Sequence, residues 1–233
     1  MPNLHDTITT GQQAVRTWTW AWFTPTTAAA LMFALSGPVR ADTVVEQMLA
    51  KMAGTLDVKS EPYMNGGKLS GCTLAFDAIA QDWSYRQGGY IKVSGNVGFL
   101  RAGETVGANV KVVVLEIDPS DPTLGLRPSP PTRAYLIDKD LKTNLSTLQR
   151  ASQSDTPGAL FSIFELSPTF QMVVDGLTAN ELTVAFNSKS GDTDIQLKLE
   201  LDVQDVTQSG ERVRSDKMKS DFARCLQALA DTL

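Results

Sequence analysis

From Leu182 to Val203 the chain alternates apolar and polar residues with a period of two. Leu182, Val184 and Phe186 interleave with Thr183 and Ala185. After the polar turn Ser188-Lys189-Ser190-Gly191-Asp192, residues Ile195, Leu197, Leu199, Leu201 and Val203 interleave with Gln196, Lys198, Glu200, Asp202 and Gln204. Successive strand side chains point to opposite faces, so one face of this hairpin belongs to a core and the other to water. That alternation belongs to antiparallel sheets; parallel strands, covered on both faces, read as continuous apolar runs.

The same logic extends along the chain. Leu74, Phe76 and Ala78 alternate with Thr73, Ala75 and Asp77. Past a Gly88-Gly89 turn, Ile91, Val93, Val97 and Phe99 alternate with Lys92, Ser94 and Asn96. Val110–Ile117 is nearly continuous Val and Leu and reads as an inner strand. Two shorter strands are expected at 133–137 and 160–166. Helical spacing occurs at 43–53, where Thr43 and Glu46 have capping-box spacing and Gly54 follows. It recurs at 168–175, before Gly176, and at 215–231, where Met218, Phe222, Cys225, Leu226 and Leu229 share one face. Residues 57–67 read as a linker, 118–132 as a Pro-rich loop and 140–158 as a long polar loop. The expected fold is α+β, an antiparallel sheet of hairpins covered on one side by N- and C-terminal helices. A β-sandwich with helical ends is the alternative.

Cys72 and Cys225 are the only cysteines. An even pair in an exported chain reads as a disulfide, here stapling the start of the domain to its end. Two free thiols and a redox site are the alternatives, but Cys-x-x-Cys spacing is absent.

Export is read from the first 41 residues. Arg16 precedes an apolar run from Trp18 to Leu35, Gly37-Pro38 breaks it, and Val39-Arg40-Ala41 is a small-x-small cleavage site. The expectation is a signal peptide at 1–41, cleaved after Ala41, with translation starting at Met1 or near Val15. One α+β domain then occupies 42–233. A membrane anchor is the competing reading of the same run. Losing Arg16, Arg40 and Asp6 turns 21 basic and 26 acidic residues into 19 and 25, a net charge of about −6. No basic patch favours nucleic acid.

The only histidine, His5, leaves with the signal. The remaining chain then has no imidazole for a Ser-His-Asp or Cys-His catalyst or a histidine-ligated metal. Glycine-rich phosphate loops, a Gly-x-Ser-x-Gly elbow and zinc spacings are absent. No catalytic residue, metal or cofactor is therefore expected. Paired carboxylates remain, at Asp118 and Asp121, Asp138 and Asp140, and Asp192 and Asp194. Aspartate at turns ordinarily caps the backbone instead. Trp83, Tyr85 and Tyr90 form a local aromatic cluster; on an open sheet face it could stack on a sugar or anchor a partner, and otherwise it is core. Pro128-Ser129-Pro130-Pro131 reads as a stiff loop, and Asn144-Leu145-Ser146 is a glycosylation sequon.

The functional expectation is a non-catalytic binding or interaction protein of the bacterial periplasm, or a secreted one, whose partner is another envelope or extracellular protein. A small-ligand or carbohydrate module using Trp83 and Tyr85 is the first alternative. A hydrolase working with carboxylates alone is the second.

Overall fold

Two strand edges decide how this sheet is laid out, and neither carries a two-residue pattern. The computed structural model describes residues 44–121, 125–188 and 191–232. The expected signal segment at 1–41 with its expected cleavage point, Thr43, Pro122 and the turn residues Lys189 and Ser190 lie outside the described residues. The strands are β1 (Gly54–Asn65), β2 (Lys68–Asp82), β3 (Gly89–Ala102), β4 (Thr105–Ile117), β5 (Leu126–Pro128), β6 (Ala134–Ile137), β7 (Leu148–Gln153), β8 (Ala159–Phe164), β9 (Glu181–Asn187), β10 (Asp194–Glu200), β11 (Val203–Val206) and β12 (Arg212–Arg214). The helices are α1 (Val44–Met52), α2 (Leu166–Ala179) and α3 (Lys217–Ala230).

The large sheet runs β1-β2-β3-β4-β8-β7, with β5 also on β4; β10-β9-β6 and β11-β12 form two smaller sheets. All these pairings are antiparallel. The architecture is thus α+β and rich in antiparallel sheet, with one disulfide, Cys72–Cys225. The expected linker at 57–67 is largely strand β1, and the expected loop at 140–158 contains strand β7. Both are terminal strands, exposed along much of their length. A strand that buries little has no reason to alternate, so its sequence resembles a loop.

Alternation along β2 and β3 assigns the faces of the large sheet. Cys72, Leu74, Phe76, Val93, Val97 and Phe99 point inward, into a core shared with Leu136, Val184, Phe186 and Leu199 of the three-stranded sheet. Met218 and Phe222 of α3 join that core, and the disulfide ties α3 to β2. Ile79 has the opposite parity. With Tyr90 and Ile117 it packs against Leu49 of α1. The two terminal helices therefore lie on opposite faces of the sheet, not on one.

Two further boundaries differ from expectation. The strand expected to run through Val203 stops at Glu200: the Leu201 amide bonds the Asn180 carbonyl, and the chain turns to pair β11 with β12. Gly176 does not end α2. It lies buried within the helix, where a Cβ would come 2.9 Å from the Glu181 carbonyl oxygen, so glycine here permits close packing on β9. The helix ends at Asn180, in the left-handed conformation with φ of 60°.

Candidate functional site

The aromatic cluster expected at 83–90 is divided by its own turn. Residues 83–85 form a turn, not a strand, so Trp83 and Tyr85 do not share a sheet face. Asp82 Oδ1 accepts bonds from the amides of Ser84 and Tyr85, each at 2.9 Å, and Gly88 takes a φ of +89°. The Trp83 indole lies against Gly88 and is 71% exposed. Tyr85 donates its hydroxyl to the Thr193 carbonyl and packs on Gly191, linking this turn to the β9–β10 hairpin. Tyr90 is only 7% exposed, inside the cluster under α1. Arg86 pairs with Glu116.

One carboxylate of each expected pair, Asp118, Asp138 and Asp194, is engaged by backbone or side-chain donors. Asp118 accepts from the Ser120 amide and hydroxyl and pairs with Arg127. The Ser120 hydroxyl above all, then its amide, holds the Asp118 carboxyl below its ordinary range, the opposite of what a general acid near neutral pH needs. Asp138 accepts from the amides of Asp140 and Lys142. Asp194 receives Arg133 Nε at 2.6 Å and the Tyr135 hydroxyl at 2.7 Å, clamping β6 to β10. Burial, and then this bond to Asp194, pushes the Tyr135 hydroxyl up to about 12. Among the described residues no three His, Cys, Asp or Glu side chains gather as a metal site.

Asn144 is fully buried, contrary to the exposed sequon expected there. Its Oδ1 accepts from the Leu136 amide at 2.8 Å and its Nδ2 donates to Thr169 Oγ1 at 3.0 Å. A folded chain cannot present this side chain to a glycosylating enzyme.

The feature with binding geometry lies elsewhere, between α2 and α3. Helix α2 carries two apolar stripes. Thr169, Met172, Val173 and Gly176 face the core. Leu166, Phe170, Val174 and Leu177, spaced four, four and three residues apart, face sideways. On α3, Ala223, Leu226 and Ala230 look back at them, while Met218, Phe222 and Leu229 are buried. The result is a groove of about 710 Å³ floored by Phe99 and Val106 of the β3–β4 hairpin. Phe99 holds both walls, with ring centroids 5.3 Å from Phe170 and 6.3 Å from Phe222. Ser167 and Gln227 are its polar lining residues. Phe170 nevertheless remains 41% exposed. A helix that is apolar on more than its core face normally has something covering the second face.

Arg101 lies beside the groove's lining residues without being one of them. Arg101 and Val106 are cross-strand partners, and Arg101 has the inward parity of Phe99. Its Nε donates to the Gly103 carbonyl at 2.8 Å and its NH1 donates to the Thr232 carbonyl at 2.8 Å, just beyond α3. Two other depressions, of about 380 and 260 Å³, share Asp57, Lys59 and Glu61 and are lined largely by charged or polar residues.

Sequence periodicity assigned one buried face to each helix and so passed over the groove. The available signal was the composition of α2, in which Gln171 and Asp175 are the only long polar side chains. No helix among the described residues is long and apolar enough to cross a membrane. No protein-family model matches the chain, and no curated protein or solved structure matches it significantly.

Proposed function

We propose that this is an exported, non-catalytic binding protein, periplasmic or secreted, that takes the hydrocarbon part of a small amphipathic ligand into the groove between α2 and α3. The observation that carries this reading is the exposed trough itself: about 710 Å³, lined mostly by apolar side chains, with Phe170 left 41% exposed. That volume lies within the range of about 300–1,000 Å³ usual for small-molecule sites. The signal-like run before Ala41 and the Cys72–Cys225 bridge support work outside the cytoplasm. The carboxylates support no hydrolytic reading, since Asp118, Asp138 and Asp194 hold the backbone or fixed cations.

A second reading, docking of a partner protein's amphipathic helix, is favoured by one detail. Ala223 and Ala230 stand two turns apart on the α3 wall, where small side chains permit close helix approach.

The test is titration of oxidised 42–233 with the neutral fluorophore N-phenyl-1-naphthylamine. One saturable site with enhanced emission is expected. Ala223→Trp, which fills the groove from an exposed position, should abolish it while leaving the circular-dichroism spectrum intact. An absence of saturable binding by the wild type, or binding that Ala223→Trp leaves unchanged, contradicts the proposal. A partner captured from the native envelope only by the wild type, with no small-probe site, would favour the helix-docking reading.

A further inference from the structure

We infer that the ligand of this groove is an amphiphile with an anionic head group, its chain against Phe170, Val174 and Leu226 and its head at Arg101; this rests on the groove being a binding site. The apolar trough alone would accept any hydrocarbon. What separates one head group from another is the charge beside the trough. Arg101 lies beside Val106, one of the floor residues, and reaches Thr232, two residues past the lining residue Ala230. It therefore stands at the junction of the β3–β4 hairpin and the C-terminal end of α3.

Its bonding leaves capacity for an anion. A guanidinium has five N–H donors. The Gly103 and Thr232 carbonyls each take one, and among the described residues no carboxylate pairs with Arg101. Both of these partners are neutral, so among the described residues no bonded anion offsets the positive charge. Asp231, the carboxylate at the C-cap of α3, is engaged by Gln227 Nε2 at 3.0 Å. A planar fork held at a fixed angle suits bidentate capture of a carboxylate or phosphate. Only the head-group charge is selected by this arrangement, so a fatty carboxylate and an alkyl phosphate ester are equivalent candidates.

Phe99 is 2% exposed and packs on both Phe170 and the buried Phe222, so a hydrocarbon chain in the groove would meet mainly Phe170 of α2 and Leu226 of α3.

The experiment is displacement of N-phenyl-1-naphthylamine from oxidised 42–233 by dodecanoate, methyl dodecanoate and dodecyltrimethylammonium, each below its aggregation limit. Dodecanoate should displace the probe at about ten-fold lower concentration than its methyl ester, with the ammonium weakest. Arg101→Gln should bring acid and ester within about two-fold, and Arg101→Lys should restore part of the preference. Binding of dodecyl phosphate in place of dodecanoate, with the same dependence on Arg101, would point to the phosphate source. Equal displacement by acid and ester in the wild type, or a preference that survives Arg101→Gln, overturns the head-group assignment while the groove stands. Failure of the neutral probe to bind removes the groove reading and this inference with it.

Discussion

The turn at 82–90 and the groove between α2 and α3 both expose aromatic surface, but they use their rings in opposite ways. At the turn, Trp83 lies over Gly88, Tyr85 is tied to the Thr193 carbonyl and Tyr90 is sealed beneath α1. Tyr85 and Tyr90 already have partners within the chain, and Trp83, resting against Gly88, is left 71% exposed. In the groove, Phe99 is buried as a brace, while Phe170, Leu166 and Leu226 face a trough that no described residue fills. The comparison teaches that aromatic content does not mark a site. An apolar concavity that the described side chains leave unfilled is the stronger candidate.

The bracing makes the first prediction, which has the largest effect. Phe222 is fully buried and Phe170 is 41% exposed, though both touch Phe99. Phe222→Ala should cost about 3–5 kcal/mol by urea unfolding. Phe170→Ala should cost roughly 1 kcal/mol yet weaken the groove probe at least as strongly as any substitution on the α2 wall. Similar destabilisation by both would mean that the groove face is core.

The disulfide sharpens the same contrast, because it fixes one wall of the groove and nothing at the turn. Cys72→Ser/Cys225→Ser should lower stability by about 2–4 kcal/mol and weaken probe binding, since α3 is then held to β2 by packing alone. Tyr85–Thr193 contacts should persist, which hydrogen exchange of the β9–β10 hairpin would report.

The Tyr135–Asp194 clamp gives a pH signature at the turn side. Burial and the bond to Asp194 push the Tyr135 hydroxyl up to about 12 in the folded chain from an ordinary 10.0. A raised folded value means that its contribution is complete below pH 10 and is lost as the pH climbs to about 12. Thermal unfolding across that window should show a falling midpoint, and Tyr135→Phe should make the fall shallower. An unchanged slope in Tyr135→Phe contradicts the clamp.

The smallest effect is expected at Trp83. Trp83→Ala should change stability by less than about 0.5 kcal/mol and leave probe binding unaltered. In a chain beginning at Asp42, Trp83 is the sole tryptophan, so its emission should stay that of a solvent-exposed indole and not respond to an amphiphile. A strong response would transfer the site to the turn.

Legibility in the sequence followed burial. Strands β2, β3, β9 and β10, each with an inward-facing row of core residues, show the two-residue period, and the Cys72–Cys225 link is consistent with Cys225 lying on the apolar face of α3. Strands β1 and β7 bury little and read as linker and loop. The side of the sheet taken by α1 depended on Ile79, Tyr90 and Ile117, outward residues whose apolar character was scattered over three strands. The groove arises where two helices distant in sequence stand on one hairpin end, a relation that no local window contains. Arg101 looked like an ordinary charged residue in a strand; only its register with Val106 and its bond to Thr232 give it a position.

The most direct test is a two-dimensional amide NMR titration of oxidised 42–233 with dodecanoate. The expected result is saturable shifts confined to Leu166–Leu177, Phe99–Val106 and Ala223–Thr232, with Trp83–Tyr90 unmoved. Shifts centred on Trp83–Tyr90, or no saturable shifts at all, would contradict the assignment of the groove as the binding site.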